Sequence, residues 1–260
     1  MSARVVAGTE VLVTGSGEPV TVFGHGLAQS IPETRPFGSG VRGTRVFLHF
    51  RGHGATLSQE GEPWSYGGLA RQLRTVAGEV GAERALGVSM GAGALLALLA
   101  ETPDRFERVV LVLPGAIDRP RGDAATARLT AMAALVERGD AAGLAALLLA
   151  EQPEAVRARP DAVVWTRRQA ERLVGTPVAA ALRAVPSLQP LSDRTLLSAV
   201  RCPALVVGQE GDATHPASVA RELGRLLPRV QVRVLPPGGV LWSHRREVRA
   251  LVAGFLNAPR

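Results

Sequence analysis

Residues 85–100 of this 260-residue chain read "ALGVSMGAGALLALLA" and carry the sharpest structural signal in the sequence. The apolar residues up to Val88 have the length and composition of a buried strand. The stretch from Gly91 to Glu101 is apolar nearly all round, as in a helix that packs against the middle of a sheet. Only Ser89 and Met90 separate the two elements. This stretch therefore predicts a strand that passes through a tight turn at Ser89 into a buried helix.

On both sides of this turn, short β-branched runs alternate with helix-length stretches. Such alternation is typical of a parallel sheet with crossover helices. The predicted strands are Arg4–Val13, Val20–Phe23, Thr44–Phe50, Ala85–Val88, Arg108–Leu113, Ala204–Gly208 and Gln231–Leu235. The predicted helices of the same region are Gly68–Glu79, Gly91–Glu101, Ala217–Leu227 and Ser243–Asn257. The predicted fold class is α/β, with a mostly parallel central sheet flanked by helices.

Between Asp118 and Val200 the strand signal disappears, and Ala-rich, Arg-rich helical patterns such as "AATARLTAMAALVERG" take over. Because strands resume afterwards, we expect a helical insertion between two strands of one sheet. The predicted organisation is a core formed by residues 1–117 and 201–260, with an inserted helical lid at 118–200.

The charge of the chain does not indicate a nucleic-acid partner. The net charge is +7 and every one of the thirty basic residues is arginine. These arginines alternate with acids, and only 4% of the residues are aromatic, so the sequence lacks the basic stripe with interleaved aromatics that nucleic-acid surfaces carry. We expect a solvated, arginine-rich surface and no nucleic-acid binding.

The sequence also lacks the signals of a secreted or membrane protein. The single cysteine, Cys202, excludes an internal disulfide and a cysteine-rich metal site. The first residues lack the apolar block of a signal peptide, and the longest apolar run, 88–100, is too short to cross a bilayer. We therefore expect a cytoplasmic protein with no membrane partner.

The string Gly87-Val-Ser-Met-Gly91 matches G-x-S-x-G between a predicted strand and a predicted helix. A serine on such a turn projects its hydroxyl above the sheet edge, and the flanking glycines remove Cβ atoms that would collide. Further support comes from "VFGHGL", residues 22–27, a strand that ends in His-Gly upstream of the turn. An acyl-transfer site needs two backbone N–H donors about 3 Å from the oxyanion. The amides of Leu27 and Met90 are the candidates.

Taken together, these motifs resemble those of the α/β-hydrolase superfamily, in its lid-bearing, serine-nucleophile form, over almost the whole chain. His25-Gly26 is similar to the family's oxyanion loop, "FRGHGAT" (50–56) to its D-x-R-G-H-G-x-S turn, and "GVSMG" to its nucleophile elbow. The segment "CPALVVGQEGDATHP" (202–216) resembles its acid loop. The chain departs from the family pattern at His49, where an aspartate is usual, and at Ala55-Thr56, where a polar pair is usual.

This resemblance implies that Ser89 is the nucleophile and that Asp212 is the acid that orients the base. A simple turn-capping role for Asp212 is the competing interpretation, because Asp favours turns. Glu210 and Asp118 are the alternative acids. Asp118 follows the preceding strand, from which some members of the superfamily supply the acid.

The expected position of the base is occupied by glycine. In the resembled family the last strand leads to a loop ending in Gly-His, and here Gly238-Gly239 stand there within "LPPGGVLWSHRREV". His244 lies five residues further on, and if Ser243 caps the last helix, the dipole at the helix start favours the neutral imidazole that a base needs. We therefore predict His244 as the base. His215, only three residues from Asp212, and the absence of any histidine base are the alternatives.

The other three histidines precede Ser89 and so violate the chain order serine, acid, histidine. His49 and His53 are therefore predicted to be structural. His25, although not the base, is placed with Trp165 among the residues that contact substrate.

The predicted function is hydrolysis of an ester, thioester or related acyl bond of a small, largely apolar molecule, with no metal or organic cofactor. Leucines of the lid line the acyl pocket in this interpretation, and lid arginines are candidates for binding a substrate carboxylate. One alternative is a protein that has lost turnover and acts as a binding module, because Gly239 replaces the usual histidine. Another is a C–C hydrolase, lyase or perhydrolase on the same fold. Substrate identity, retained turnover and oligomeric state stay open.

Overall fold

The computed structural model describes residues 2–58 and 61–259. Its strands are β1 (Ser2–Val6), β2 (Thr9–Thr14), β3 (Val20–Gly24), β4 (Thr44–Leu48), β5 (Arg84–Val88), β6 (Arg108–Val112), β7 (Ala204–Gln209) and β8 (Val230–Leu235). Its α-helices are α1 (Ile31–Thr34), α2 (Tyr66–Glu79), α3 (Met90–Glu101), α4 (Asp123–Glu137), α5 (Ala141–Ala150), α6 (Glu154–Arg157), α7 (Pro160–Leu173), α8 (Val178–Ala184), α9 (Ala217–Leu226) and α10 (Arg245–Leu256).

The eight strands form one sheet in the order β1-β2-β4-β3-β5-β6-β7-β8. From β4 to β8 every pairing is parallel, whereas β1 and β2 pair antiparallel with each other and β2 pairs antiparallel with β4. The predicted α/β class with a mostly parallel, helix-flanked sheet is confirmed. Strand β5, which leads to Ser89, lies inside the sheet between β3 and β6, so the loops after these strands meet around Ser89.

Each parallel strand sends alternate side chains to opposite faces of the sheet. Phe23 and Phe47 stack in the cluster that packs on α10, whereas the neighbouring Val22 and Val46 belong to the cluster on the side of α2 and α3. Helix α3 is buried along nearly its whole length, as its apolar sequence predicts. The sheet with its two apolar layers therefore fixes the strand ends that carry the site.

The prediction of a single strand over Arg4–Val13 was wrong, because the chain reverses in its middle. Ala7 and Gly8 have φ angles of 47° and 76°, and Val6 pairs with Thr9. Two successive left-handed residues make a tight hairpin turn, whose twist suits an antiparallel pair. Continuous alternation along 4–13 hid this turn.

The segment between β6 and β7 is helical and contains α4–α8. These helices form a small apolar core of their own, which includes Ala133, Leu144 and Leu182. Ala28, from the loop after β3, is buried in the same cluster. The helical insertion thus packs directly on a loop that borders Ser89. No helix in the part of the chain that the structure describes has the length and apolar character needed to cross a membrane.

Candidate active site

Ser89 occupies a strained turn between β5 and α3. Its φ and ψ angles are 49° and −103°, outside the regions that L-residues usually adopt. Its amide donates to the Val112 carbonyl at 2.9 Å, which ties the turn to the neighbouring strand. A Cβ added to Gly91 would lie 2.5 Å from the Gly24 carbonyl oxygen, and one added to Gly87 would overlap the Gly91 carbonyl. Both glycines of the predicted elbow are therefore required by the close approach of backbone.

The imidazole that reaches Ser89 belongs to His215. The distance from Ser89 Oγ to His215 Nε2 is 2.8 Å, and His215 Nδ1 lies 2.9 Å from Asp212 Oδ2. Because the Asp212 carboxylate can only accept, Nδ1 carries the proton and Nε2 is free to accept from the serine hydroxyl. The three side chains form a continuous hydrogen-bonded relay.

The Asp212 carboxylate also shapes the loop that carries it. Its Oδ1 accepts hydrogen bonds from the amides of Thr214 and His215, both at 2.9 Å. This local turn bends the chain back, so that His215 faces the other oxygen of the same carboxylate. Burial alone would raise the pKa of Asp212, but the hydrogen bond and charge of His215 and the two amides outweigh it and lower the pKa to about 2. Asp212 is therefore ionised at neutral pH.

The predicted oxyanion amides flank Ser89 on the side of β3. Leu27 follows His25-Gly26 at the end of β3, and Met90 is the first residue of α3, where an amide lacks an intrahelical acceptor. Among the described residues, no hydrogen bond is assigned to either amide. Leu27 also lines the cavity that contains Ser89, and Met90 follows Ser89 directly, which keeps both amides as candidates for the two donors of an acyl-transfer site.

Three buried histidines hold the loop that contains Leu27. His53 Nε2 accepts from the Ala28 amide at 3.1 Å, and His49 Nε2 accepts from the Ile31 amide at 3.0 Å. His25 Nε2 accepts from the Phe50 amide at 3.0 Å. Each ring donates through Nδ1: His53 to the Arg51 carbonyl, His49 to the Glu10 carboxylate and His25 to the Gly26 carbonyl. Three neutral imidazoles with the same tautomer therefore brace this loop.

A cavity of about 1120 Å³ opens above Ser89. Its floor includes Ser89, Asp212 and His215, and its upper wall comes from the helical insertion. The apolar part of that wall is formed by Leu129, Met132, Leu148, Trp165 and Leu173. The volume is of the size that binds small molecules. Trp165, predicted to contact substrate, does line this cavity, and it packs edge-on against Trp242 at 5.8 Å between ring centroids.

A sequence profile described as the alpha/beta hydrolase family matches residues 11–253, which is nearly the whole chain. The chain belongs to the α/β hydrolase family. Membership in this family supports hydrolase activity. No curated protein has a sequence that matches this hydrolase significantly.

Solved structures confirm the fold of this hydrolase. An enol-lactonase from Burkholderia xenovorans LB400 superposes with a TM-score of 0.79 at 21% identity, covering 99% of this chain and 100% of the other. A meta-cleavage product hydrolase from Pseudomonas fluorescens IP01 gives a TM-score of 0.78 at 18% identity, covering 99% and 97%. A thermophilic esterase from Thermogutta terrifontis gives 0.73 at 21% identity, covering 94% and 92%. At these identities the similarity is one of fold.

The structure does not bring His244, the predicted base of this hydrolase, to the serine. Its Nε2 lies 3.4 Å from the Pro237 carbonyl and its Nδ1 lies 3.7 Å from Glu247. The reason is the π-helical turn Gly239–Ser243, which places His244 at the start of α10, outside the residues that line the cavity. Gly239, at the family's usual base position, has a φ of 82° and contributes only backbone to the cavity wall.

The expected substrate contact of His25 is also contradicted. The side chain is fully buried and both ring nitrogens are engaged by backbone groups, so it does not face the cavity. Burial and the nearby His53 hold its pKa well below the ordinary value of 6.5. His25 is therefore a neutral structural residue, and the substrate-binding role does not apply.

The two alternative acids are committed to other partners. Asp118 accepts from the Arg194 guanidinium at 2.6 Å, and Glu210 forms an ion pair with Arg221. Neither carboxylate contacts an imidazole among the described residues. Asp212 is the carboxylate that meets the histidine at the serine.

Sequence reasoning missed one residue of this site. Arg121, at the start of the insertion, donates from Nη2 to Ser89 Oγ at 3.2 Å and is 7% exposed. The only signal in the sequence was its position, shortly after β6 and beside a run of small residues, in "PGAIDRPRGDAA". Scattered arginines elsewhere in the insertion made this one indistinguishable.

Proposed function

We propose that this chain hydrolyses an ester, thioester or related acyl bond of a small, largely apolar molecule through Ser89, His215 and Asp212. The observation that supports this most directly is the relay of hydrogen bonds from Asp212 through His215 to Ser89, at 2.9 and 2.8 Å, at the floor of the cavity. In this proposal the base lies on the acid loop and replaces the histidine that Gly239 lacks.

The geometry supports the following course of reaction. The His215 Nε2 takes the proton of the Ser89 hydroxyl while Oγ forms a bond to the carbonyl carbon, and the carbonyl oxygen becomes an oxyanion held by the Leu27 and Met90 amides. Collapse of this intermediate breaks the bond to the leaving group, which takes the proton from His215. Water, deprotonated by the same nitrogen, then forms a bond to the acyl carbon; the bond from that carbon to Oγ breaks, and Oγ takes the proton back from His215, which restores Ser89.

Asp212 serves this sequence as a fixed negative charge. It holds the His215 Nδ1 proton, sets the tautomer and stabilises the imidazolium that forms twice in each turnover. Its lowered pKa keeps it ionised throughout the neutral range.

The proposal also covers the walls of the cavity and the type of bond that is cleaved. We assign the helical segment 118–200 the role of a lid, and Trp165 with its neighbouring leucines the role of an acyl pocket. The enol-lactonase and the esterase among the structural neighbours fit ester-bond cleavage, and the meta-cleavage product hydrolase makes C–C bond cleavage the second candidate. The helical wall is apolar enough to favour a substrate with a hydrophobic acyl chain.

The first experiment labels the nucleophile with a fluorophosphonate probe. The parent protein should become labelled and the Ser89→Ala variant should not. If both proteins were labelled equally, or if neither were labelled, Ser89 would be removed from the proposed mechanism.

The second experiment compares two histidines by hydrolysis of 4-nitrophenyl butyrate. His215→Ala should lower kcat/KM by about a thousandfold or more, because the base is lost. His244→Ala is the matched control, since His244 does not line the cavity, and should retain the parent rate. Both variants should show the parent's circular dichroism. If His244→Ala lost most of its kcat/KM and His215→Ala kept the parent value, His244 would be the base and the role proposed for His215 would be wrong.

A further inference from the structure

Arg121 brings a positive charge directly to the nucleophile. Its Nη2 donates to Ser89 Oγ at 3.2 Å and its Nη1 donates to the Thr214 carbonyl at 2.9 Å. The side chain lines the cavity, although it is only 7% exposed. The proposed reaction uses the serine, the histidine, the aspartate and two amides, and it gives this guanidinium no task.

No carboxylate in the part of the chain that the structure describes pairs with this charge. Within residues 2–58 and 61–259, Arg121 takes part in no salt bridge, and its buried Nε has no hydrogen-bond partner. Several carboxylates of the cavity pair with other arginines: Glu151 with Arg128, Glu33 with Arg172, Asp161 with Arg159 and Glu210 with Arg221. Asp212 is hydrogen-bonded to the neutral His215 ring and to two amides.

Tyr66 does not supply the missing anion. Its hydroxyl lies near Arg121, whose charge favours ionisation, but burial prevails and raises the pKa of Tyr66 above its ordinary value of 10.0. The phenol therefore keeps its proton at neutral pH. A buried cation without a counterion is unfavourable, and a carboxylate from outside the protein would relieve it through charge-assisted hydrogen bonds.

The position of Arg121 separates it from the oxyanion amides. In the sheet order β3-β5-β6-β7, Leu27 follows β3 on one side of Ser89, whereas Arg121 follows β6 and contacts the loop after β7 on the other side. Arg121 therefore faces a substituent of the attacked carbon and not its carbonyl oxygen. Since Nη2 lies 3.2 Å from Oγ, a group that it binds must be close to the scissile bond.

We propose that Arg121 binds a carboxylate of the substrate, attached within a few carbon atoms of the scissile carbonyl. The substrate class is then carboxylate-bearing esters or lactones whose remaining part occupies the apolar wall of the cavity. This inference rests on the proposed function for the reacting bond, and it adds the anionic group that selects the substrate.

The test compares charged and neutral esters of the same size. The probes are the mono-4-nitrophenyl esters of succinate, glutarate and adipate, and the same compounds with the free carboxylate methylated, with spontaneous hydrolysis subtracted. In the parent protein at least one acid should be hydrolysed with a kcat/KM about tenfold to a hundredfold above that of its methyl ester, the range expected for a charge-assisted hydrogen bond. A ratio of one or less for all three pairs would overturn the proposal without any variant.

Variants assign the preference to one side chain. Arg121→Gln should bring the ratio of charged to neutral substrate close to one, and Arg121→Lys should retain part of it. Arg128→Gln is the matched control, because Arg128 lines the same cavity and contacts the same loop but is paired with Glu151. It should keep the parent ratio, whatever its absolute rate. An unchanged ratio in Arg121→Gln would refute the assignment.

A binding measurement separates this inference from the proposed function. Glutarate should quench or enhance the tryptophan fluorescence of Ser89→Ala, since Trp165 and Trp242 line the cavity, and Arg121→Gln added to that variant should abolish the change. If glutarate binds but no ester is hydrolysed, the hydrolase proposal fails and the anion site stands. If neutral esters are hydrolysed and glutarate does not bind, the anion site fails and the hydrolase proposal stands.

Discussion

Protonation of His53 should destabilise the fold, and the structure gives the size of the effect. The ring is buried, donates to the Arg51 carbonyl at 3.0 Å and accepts from the Ala28 amide at 3.1 Å. Burial lowers its pKa from 6.5 to about 4, and the hydrogen bond to Arg51 offsets only part of that effect. Protonation would place a charge in this interior and remove the acceptor that holds Ala28.

The sign of the pH dependence follows from the two pKa values. The unfolded chain takes up the proton near pH 6.5, whereas the folded chain takes it up near pH 4. The contribution of His53 to stability is therefore complete above about pH 6.5 and is lost as the pH falls towards 4. The difference of about 2.5 between the pKa values, at about 1.36 kcal/mol for each pKa unit, sets a limit of about 3.4 kcal/mol. At pH 4.5 roughly 2.5 kcal/mol of it is lost.

Urea unfolding at pH 7.5 and pH 4.5 measures this loss, with His53→Gln as the non-titrating control. The glutamine oxygen can accept from Ala28 but binds no proton in this range. The parent protein should lose about 2.5 kcal/mol more than His53→Gln between the two pH values, or about 1 M in the urea midpoint. The other titrating groups are present in both proteins and largely cancel. Equal losses in the two proteins would refute the assignment of a buried neutral His53.

Three further predictions concern the elbow, the acid and the vacant base position. Asp212→Asn should lower kcat/KM for 4-nitrophenyl butyrate by about 10³-fold to 10⁴-fold without unfolding the protein, because the amide no longer fixes the imidazole tautomer. Gly239→His should not restore a base in the family's usual place, because Gly239 has a φ of 82° and a Cβ there would lie 2.8 Å from Trp242. This substitution should instead lower the free energy of unfolding by about 1–3 kcal/mol, measured by denaturant titration. Gly91→Ala should cost about 1–3 kcal/mol and most of the activity, whereas Gly254→Ala, whose Cβ meets nothing within 4 Å, should cost neither.

Much of the fold could be predicted because the central strands and helices have strong periodic signals. The runs around β5 and α3 differ from the observed bounds by one residue, and Ser89 lies on the turn between them with a glycine on either side. Asp212 follows β7 and contacts His215. The hairpin at Ala7-Gly8 was missed because apolar alternation continues through the turn. Local patterns therefore located the strand ends, and with them the nucleophile.

The base could not be predicted because its position depends on a turn made by side chain and backbone together. His215 lies only three positions after Asp212, and this spacing suggested that the histidine would have to fold back over its partner. The Asp212 carboxylate itself causes that reversal, by accepting from the Thr214 and His215 amides. The pattern Asp-x-x-His on one loop, read with the hydrogen-bonding habit of aspartate in turns, was the available signal. The family usually places its histidine after the last strand, and this expectation favoured His244, which lies in that connection.

The placement of acid and base on one short peptide makes the Asp212–His215 pair independent of the turn after β8, whereas Arg121 and Arg128 of the insertion do contact that peptide at Thr214. The turn after β8 carries no reacting group, and its Trp242 instead donates to Gln152 of the insertion at 2.9 Å and packs on Trp165. A displacement of that turn would alter the cavity wall while the Asp212–His215 pair kept its geometry. In the proposed mechanism proton transfer does not use this turn, so the wall at Trp242 could be re-engineered without rebuilding the relay.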